Sequence, residues 1–348
     1  MSEAMFKLVL PEPAQMPRGR IYLDYYKLAE APFAITPDPD FLFASRSHQQ
    51  VLDKISYAIE GAMGFVLLTG EVGTGKTTIC RTLLDRLRGK ADTVYIINPS
   101  VSGHELLANI LEDTGLPVDP EATKKSLLDM LNGHLLSMHA MRPFVVIIDD
   151  AQTMSAEALE ELRLLSNLET DKCKLIQVVL SGQPELLEIL SDKRLRQLNQ
   201  RIAVHCSIEP LSRQETEGYI CRRLYVAGNQ GQVSFSHAAT QMVHSASGGI
   251  PRLINKISDF SLTAGYVKDS QNIEPRHVKR ALAELKDLNL QAPGWGARVL
   301  RMGWMAAFLL LFMIALTFFA RPIEANGFME SAAEVATPSS RSSQCGRS

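Results

Sequence analysis

Cysteine, tryptophan and net charge are all scarce in this sequence. Only five of its 348 residues are cysteine, and Cys80, Cys173, Cys206, Cys221 and Cys345 form no CxxC pair and no Cys/His cluster at zinc-ligand spacing. That excludes a disulfide-stapled secreted scaffold and a structural zinc site, and the first four are expected to be reduced thiols of a cytosolic domain. The 36 Lys+Arg against 38 Asp+Glu leave a formal net charge of -2, without the basic excess that coating nucleic acid requires, so no specific nucleic-acid partner is expected. The first twenty residues offer only Leu8-Val9-Leu10 before Pro11, Pro13 and Pro17, too short an apolar stretch for a signal peptide, and are read as a flexible leader. A hydrophobic content of 46% excludes a disordered chain, and the length leaves room for about two domains.

One long apolar run is present. From Met302 to Ala320 no residue is charged, and a helix of that length spans ~28 Å, close to the hydrocarbon core of a bilayer. Arg298 and Arg301 precede it, with Lys279, Arg280 and Lys286 further back, whereas Arg321 on the far side stands near Glu324, Glu330 and Glu334. By the positive-inside rule residues 1–301 are expected in the cytoplasm and residues 321–348 in the periplasm. That Ser- and Ala-rich remainder, which contains Cys345, is too short to hold a core and is expected to be a disordered tail.

The chemistry begins after Phe65-Val66-Leu67-Leu68-Thr69, an apolar run expected to be a strand. Gly70-Glu71-Val72-Gly73-Thr74-Gly75-Lys76-Thr77-Thr78 follows, then a helical stretch to about Leu87. This is GxxxxGK[ST] between a strand and a helix, the pattern of a phosphate-binding loop. Glycines let backbone N–H groups turn inward around phosphate oxygens, and the helix adds its positive N-terminal dipole. Lys76 is expected to reach the β- and γ-phosphates of ATP and the Thr77 hydroxyl to ligate Mg2+. A second buried strand, Phe144 to Ile148, ends in Asp149-Asp150, at the end where open α/β sheets place ligands. Asp149 is the expected Mg2+ partner and Asp150 the carboxylate that polarises an attacking water.

A third strand, Leu175 to Leu180, ends in Ser181-Gly182-Gln183-Pro184; Ser181 and Gln183 are candidates for sensing the γ-phosphate. The basic segment Lys193 to Arg201 precedes another strand-like stretch, and Arg201 is the candidate arginine finger for a neighbouring subunit's nucleotide. Residues 210–288 change to helical patterns: Ser212 to Val226, Ser236 to Ala246, Ile250 to Val267 and Glu274 to Leu285. Ser212 and Glu215 form a capping box. Such a block reads as a lid, with Arg252 of Gly248-Gly249-Ile250-Pro251-Arg252 at the start of a lid helix, placed to bridge to the γ-phosphate.

Together these motifs resemble the AAA+ ATPases, and more narrowly the ATPase domain of general secretion pathway protein A (the ExeA type). The narrower resemblance also rests on Tyr22-Leu23-Asp24-Tyr25-Tyr26-Lys27-Leu28 with Pro32-Phe33, Thr36-Pro37-Asp38-Pro39-Asp40-Phe41-Leu42-Phe43, His48, Ile148 to Gln152, Gly182 to Leu186, Gln200-Arg201 and Gly248 to Asn255. It runs from residue 21 to about 285. It implies a P-loop AAA+ α/β fold, a parallel sheet flanked by helices, followed by an all-helical lid and one C-terminal transmembrane helix. The expected organisation is a leader (1–20), a nucleotide-binding domain (21–209), a helical lid (210–290), a linker (291–301), a membrane span (302–320) and the tail (321–348). The resemblance also implies that the Tyr-Tyr, Pro-Phe and Thr-Pro-Asp-Pro segment packs beside the adenine pocket.

By the same resemblance the protein is expected to be a bacterial inner-membrane ATPase, working as a ring of identical subunits with secretion or envelope-assembly partners. Two departures stand out. The family usually has Glu where this chain has Asp150, so turnover is expected to be slow and Asp150→Glu to raise it. Its secretion members carry a periplasmic peptidoglycan-binding domain beyond the span, where only the 27 residues from Pro322 to Ser348 stand here, so direct wall binding is not expected. Other readings remain open: a nucleotide switch, an ATPase of a pilus or exosortase-associated exopolysaccharide locus, and a transposition-type helper that binds DNA, against which the span and near-neutral charge both speak.

Overall fold

Buried strands of branched residues pair in parallel only if helices cross between them, and this chain alternates accordingly. The computed structural model describes residues 21–34, 39–97, 99–138, 142–168 and 174–287. In chain order its elements are α1 (Tyr22–Tyr26), α2 (Arg46–Glu60), β1 (Phe65–Gly70), α3 (Lys76–Leu87), β2 (Asp92–Ile96), α4 (Gly103–Asp113), α5 (Lys124–Met138), β3 (Phe144–Ile148), α6 (Ala156–Leu165), β4 (Ile176–Gly182), α7 (Glu185–Leu190), α8 (Arg196–Asn199) and β5 (Ile202–Ile208). The helical remainder is α9 (Arg213–Val226), α10 (His237–Ser247), α11 (Pro251–Val267) and α12 (Pro275–Asp287), with two-residue strands β6 (Ser234–Phe235) and β7 (Asn272–Ile273) between them.

The five long strands form one parallel sheet in the order β2-β3-β4-β1-β5. Alternate strand residues face opposite layers. Val66, Leu68, Val145, Ile147 and Val179 pack against α2 and α3 through Val51, Leu52, Ile55, Ile79 and Leu83. Phe65, Leu67, Val146, Ile148 and Leu180 pack against α4 to α8 through residues such as Leu107, Leu131, Leu162 and Leu198. Both layers being covered explains why β1, β3 and β4 are buried along their whole length. The register pairs Ile148 with Leu180 and Leu68 with Ser181, so the ends of β3, β4 and β1 emerge side by side at one edge of the sheet.

The helical layer has a core of its own, and that core includes the start of the described chain. Tyr22 and Tyr26 of α1 are buried with Tyr219, Ile220, Ile254, Leu262 and Leu285. The Tyr22 hydroxyl donates to Asp259, and the Tyr26 hydroxyl lies 3.2 Å from the Leu262 carbonyl and 3.0 Å from that of Ser270. Capping boxes start α4 (Ser102 with Glu105) and α9 (Ser212 with Glu215), each satisfying two otherwise orphaned N–H groups.

Among the described residues no helix is long and apolar enough to cross a membrane. The run 302–320, the leader 1–20 and the tail 321–348 lie outside the described residues. Cys80 and Cys206 are buried free thiols and Cys221 an exposed one; Cys173 and Cys345 lie outside the described residues.

Candidate functional site

The edge where β1, β3 and β4 end opens into a cleft of about 660 Å3, lined by the loop after β1, the start of α3, Asp150, Gln183 and residues of α9 and α11. The loop from Gly70 to Thr78 is built around glycine. Gly73 and Gly75 have φ of +84° and +104°, and a Cβ on Gly73 would stand 2.5 Å from the Cβ of Arg252, one on Gly75 2.9 Å from Nε2 of His48. Thr74 folds the loop back by donating its N–H (3.3 Å) and hydroxyl (2.8 Å) to the Glu71 carbonyl, while Val72 at the tip is exposed. His48, in the first turn of α2, braces the far side: Nε2–H donates to the Thr74 carbonyl at 3.0 Å, and Nδ1 lies 2.5 Å from the Ser45 hydroxyl. A carbonyl only accepts, so Nε2 carries a proton, and burial holds the pKa of the ring below the ordinary value.

Lys76 is buried, and its ammonium donates to the carbonyls of Gly70 (2.8 Å) and Glu71 (3.2 Å). Desolvation pulls its pKa down against the opposing fields of Asp150, Asp149 and Glu71. A cation so placed, with only carbonyls as partners, has donors to offer an anion entering the loop.

Asp149 is buried just behind the cleft lining and accepts four hydrogen bonds. Oδ2 accepts from the Thr77 hydroxyl at 2.6 Å and the Tyr95 hydroxyl at 3.3 Å; Oδ1 accepts from the Ser181 hydroxyl at 2.8 Å and the Asp150 N–H at 3.1 Å. Burial and then the Asp149 charge push the Tyr95 phenol pKa up, keeping it a donor. Asp150 stands at φ +54° and lines the cleft, and its Oδ1 accepts from the Gln152 side-chain amide at 3.0 Å.

The loop residues, Asp149, Asp150 and Arg252 are thus brought together. Arg252 sits in the first turn of α11, its N–H donating to the Gly73 carbonyl at 3.2 Å, and its guanidinium makes no hydrogen bond with the described residues. Ser181 is placed differently from a γ-phosphate sensor: fully buried, it lies outside the cleft lining and spends its hydroxyl on Asp149, whereas Gln183, two residues on, lines the cleft. Arg201 is not in this cleft. It precedes β5 at the opposite edge of the sheet, about 20 Å away along β1, where its guanidinium donates to the Ser166 hydroxyl, the Arg163 carbonyl (3.2 Å) and Asn167 (2.7 Å).

The cleft is also lined by Phe41, Phe43, Tyr219, Arg223 and Asn255. Arg223 is buried, stacked 4.6 Å from the Phe41 ring centroid, and donates to the Pro32 and Ala34 carbonyls. Of the N-terminal segment expected beside an adenine pocket, Tyr22, Tyr26 and Phe33 are in the lid core and Thr36 to Asp38 lie outside the described residues, while Phe41, just after it, lines the cleft. Tyr95, Arg223 and Tyr219 carried no motif of their own, and Gln152 closed the Ile148 to Gln152 motif without a role assigned to it. Asn255, three residues after Arg252 on one helical face, had a signal in its spacing.

The donor set fits a nucleotide with its divalent cation. Two hard oxygen donors, the Thr77 hydroxyl and the Asp149 carboxylate, meet at 2.6 Å at the start of α3, beside the cleft that Gly73, Gly75 and Lys76 line. Residues 59–190 match the AAA domain family. Over 269 residues the chain is 44% identical to general secretion pathway protein A of Aeromonas hydrophila, covering 77% of this chain and 49% of that protein. The chain thus spans about half the length of that relative. Among solved structures it is similar to ORC2 of Aeropyrum pernix (TM-score 0.56, 17% identity, 73% of this chain and 71% of that one). Cdc6p of Pyrobaculum aerophilum is also similar (0.55, 19%, 72% and 71%). At such identities these two likenesses concern the fold alone.

Proposed function

Because the chain belongs to the AAA+ ATPases of the general secretion pathway protein A type, we propose that it hydrolyses ATP at this cleft to drive an envelope secretion apparatus. The observation that carries the site assignment is that Lys76 and Thr77 line one cleft together with Gly73, Gly75 and Asp150, with the Thr77 hydroxyl bonded to Asp149 just behind them. Backbone N–H groups of Gly73 to Thr78 cradle the phosphates, and Lys76 exchanges its carbonyl partners for phosphate oxygens. Bound Mg2+ would supply positive charge at the phosphate oxygens. Thr77 and Asp149 would hold it, with Ser181 and Tyr95 orienting Asp149. Asp150 takes a proton from the attacking water as the water oxygen bonds to the γ-phosphorus and the bond to the ADP oxygen breaks, its electron pair leaving with ADP. Arg252 brings the lid to the γ-phosphate.

In the proposed assembly, copies of the chain form a ring in which Arg201 of one subunit completes the cleft of the next; its position far from its own cleft supports that reading. The run 302–320 would anchor the ring in the inner membrane, with the ATPase domain cytoplasmic and the tail periplasmic. A second reading, a nucleotide switch of a pilus or exopolysaccharide locus, is favoured by Asp150, shorter than the family's usual Glu. Crosslinking the tagged full-length protein in its native membranes, with Lys76→Ala alongside, tests these together. We expect ATP-dependent capture of secretion proteins and no hydrolysis by the variant. Capture of polysaccharide-export proteins instead selects the second reading, and undiminished hydrolysis by Lys76→Ala refutes the site.

A further inference from the structure

Gln152 has both ends of its side-chain amide occupied, by partners that belong to different strands. Nε2 donates to Oδ1 of Asp150, at the end of β3, and Oε1 accepts the N–H of Gln183, beyond the end of β4, both at 3.0 Å. The space for this bridge is kept by Gly182, where a Cβ would stand 3.0 Å from that same Oε1 and 2.6 Å from Leu186.

The rest of Asp150 is fixed as well. Its backbone is in the left-handed region at φ +54°, and its carbonyl accepts from both the N–H and the hydroxyl of Thr153, each at 2.9 Å. Its side chain is left with one rotational freedom that matters, the direction of the carboxylate. Gln152 removes it: with Oδ1 tethered, Oδ2 is the oxygen without a partner among the described residues, on a residue that lines the cleft. A carboxylate that must take a proton from water gains from being held in one orientation beforehand.

We propose that Gln152 is a positioning residue for hydrolysis: it aims Oδ2 of Asp150 at the attacking water. It also ties that aim to the backbone of Gln183, a residue facing the nucleotide. Movement of the Gln183 turn when the γ-phosphate is present or lost passes through one side chain to the carboxylate. This proposal rests on the reading of the cleft as an ATP-hydrolysing site.

The test is a pair of substitutions in the full-length protein. Gln152→Glu has the same shape and can still accept the Gln183 N–H, but it offers Asp150 a second carboxylate in place of a donor. Gln152→Ala removes both bonds. Steady-state hydrolysis gives kcat, and equilibrium binding of a non-hydrolysable ATP analogue gives Kd. With the tether lost, kcat should fall about tenfold in Gln152→Ala and further in Gln152→Glu, each with Kd within about twofold of wild type. A Gln152 that only braced the turn would leave Gln152→Glu fully active, and that result overturns the proposal. So does a loss carried by Kd with kcat intact. Wild-type hydrolysis abolished by Lys76→Ala shows independently that the ATPase reading stands; if wild type is inactive, both fall.

Discussion

Substituting Gly73 by alanine should loosen the lid, and the size of the effect can be worked from two contacts. At φ +84° an L-residue costs ~1–2 kcal/mol relative to glycine. The new methyl would also stand 2.5 Å from the Cβ of Arg252, about an ångström inside an ordinary carbon contact, and neither atom is the far end of a flexible side chain. The lid helix must therefore shift, at the expense of the hydrogen bond from the Arg252 N–H to the Gly73 carbonyl, worth ~1 kcal/mol. The total is ~2–3 kcal/mol against the arrangement in which α11 touches the loop. Gly89→Ala is the control: φ is +75°, yet nothing lies within 4 Å of its added Cβ, so it carries the conformational cost alone. The lower chain entropy that alanine brings to the unfolded state applies to both and cancels in the comparison. Urea unfolding should separate the two variants by ~1 kcal/mol or more, and analogue binding should weaken about tenfold in Gly73→Ala only. Adding Arg252→Gly should recover part of the lost stability. If both variants unfold alike and bind ATP like wild type, Arg252 is not seated on Gly73 in solution and the reasoning fails.

Asp150→Glu tests geometry against reach. Asp tolerates the left-handed conformation at φ +54° better than Glu, and an added methylene would carry the carboxylate past Gln152, so single-turnover hydrolysis should slow several-fold. Reach alone gives the opposite expectation, and a faster variant would show that reach dominates. A pH dependence follows from His48, whose folded pKa is depressed by burial. The unfolded chain takes up its proton near pH 6.5 while the folded one does not, so this contribution is present above about 6.5 and is lost as pH falls, at up to ~1.4 kcal/mol per unit until the folded pKa is passed. Unfolding free energies of wild type and His48→Gln should therefore converge towards acid; parallel curves would show that His48 titrates normally.

The loop from Gly70 to Thr78, the strand ending in Asp149 and the four lid helices were legible because each is carried by local pattern. A GxxxxGK[ST] loop, a continuous apolar run and a 3.6-residue period report on their own few residues. Residues 92–138 hold β2, α4 and α5 without any motif, and the position of β1 between β4 and β5 is a matter of long-range pairing that no window shows. Ser181 illustrates the limit within the site. Its place at a strand end was readable, but whether its hydroxyl turns to the cleft or to Asp149 depends on the register that sets Ile148 against Leu180. Gln152 and Arg223 were opaque for the same reason, since their partners come from other elements: Gln183 for the first, Pro32 and Ala34 for the second.

The packing of α1 into the lid core has a consequence for wiring. The described chain enters through Tyr22 and leaves through α12, and both ends are buried among the same lid residues, while the sheet that holds the phosphate loop is joined to neither flank directly. A pull on either end of the described chain is therefore a pull on the lid core. A change at the nucleotide reaches the lid through several contacts, among them Arg252 on Gly73, Arg46 on Glu215, and the cleft-lining Tyr219, Arg223 and Asn255.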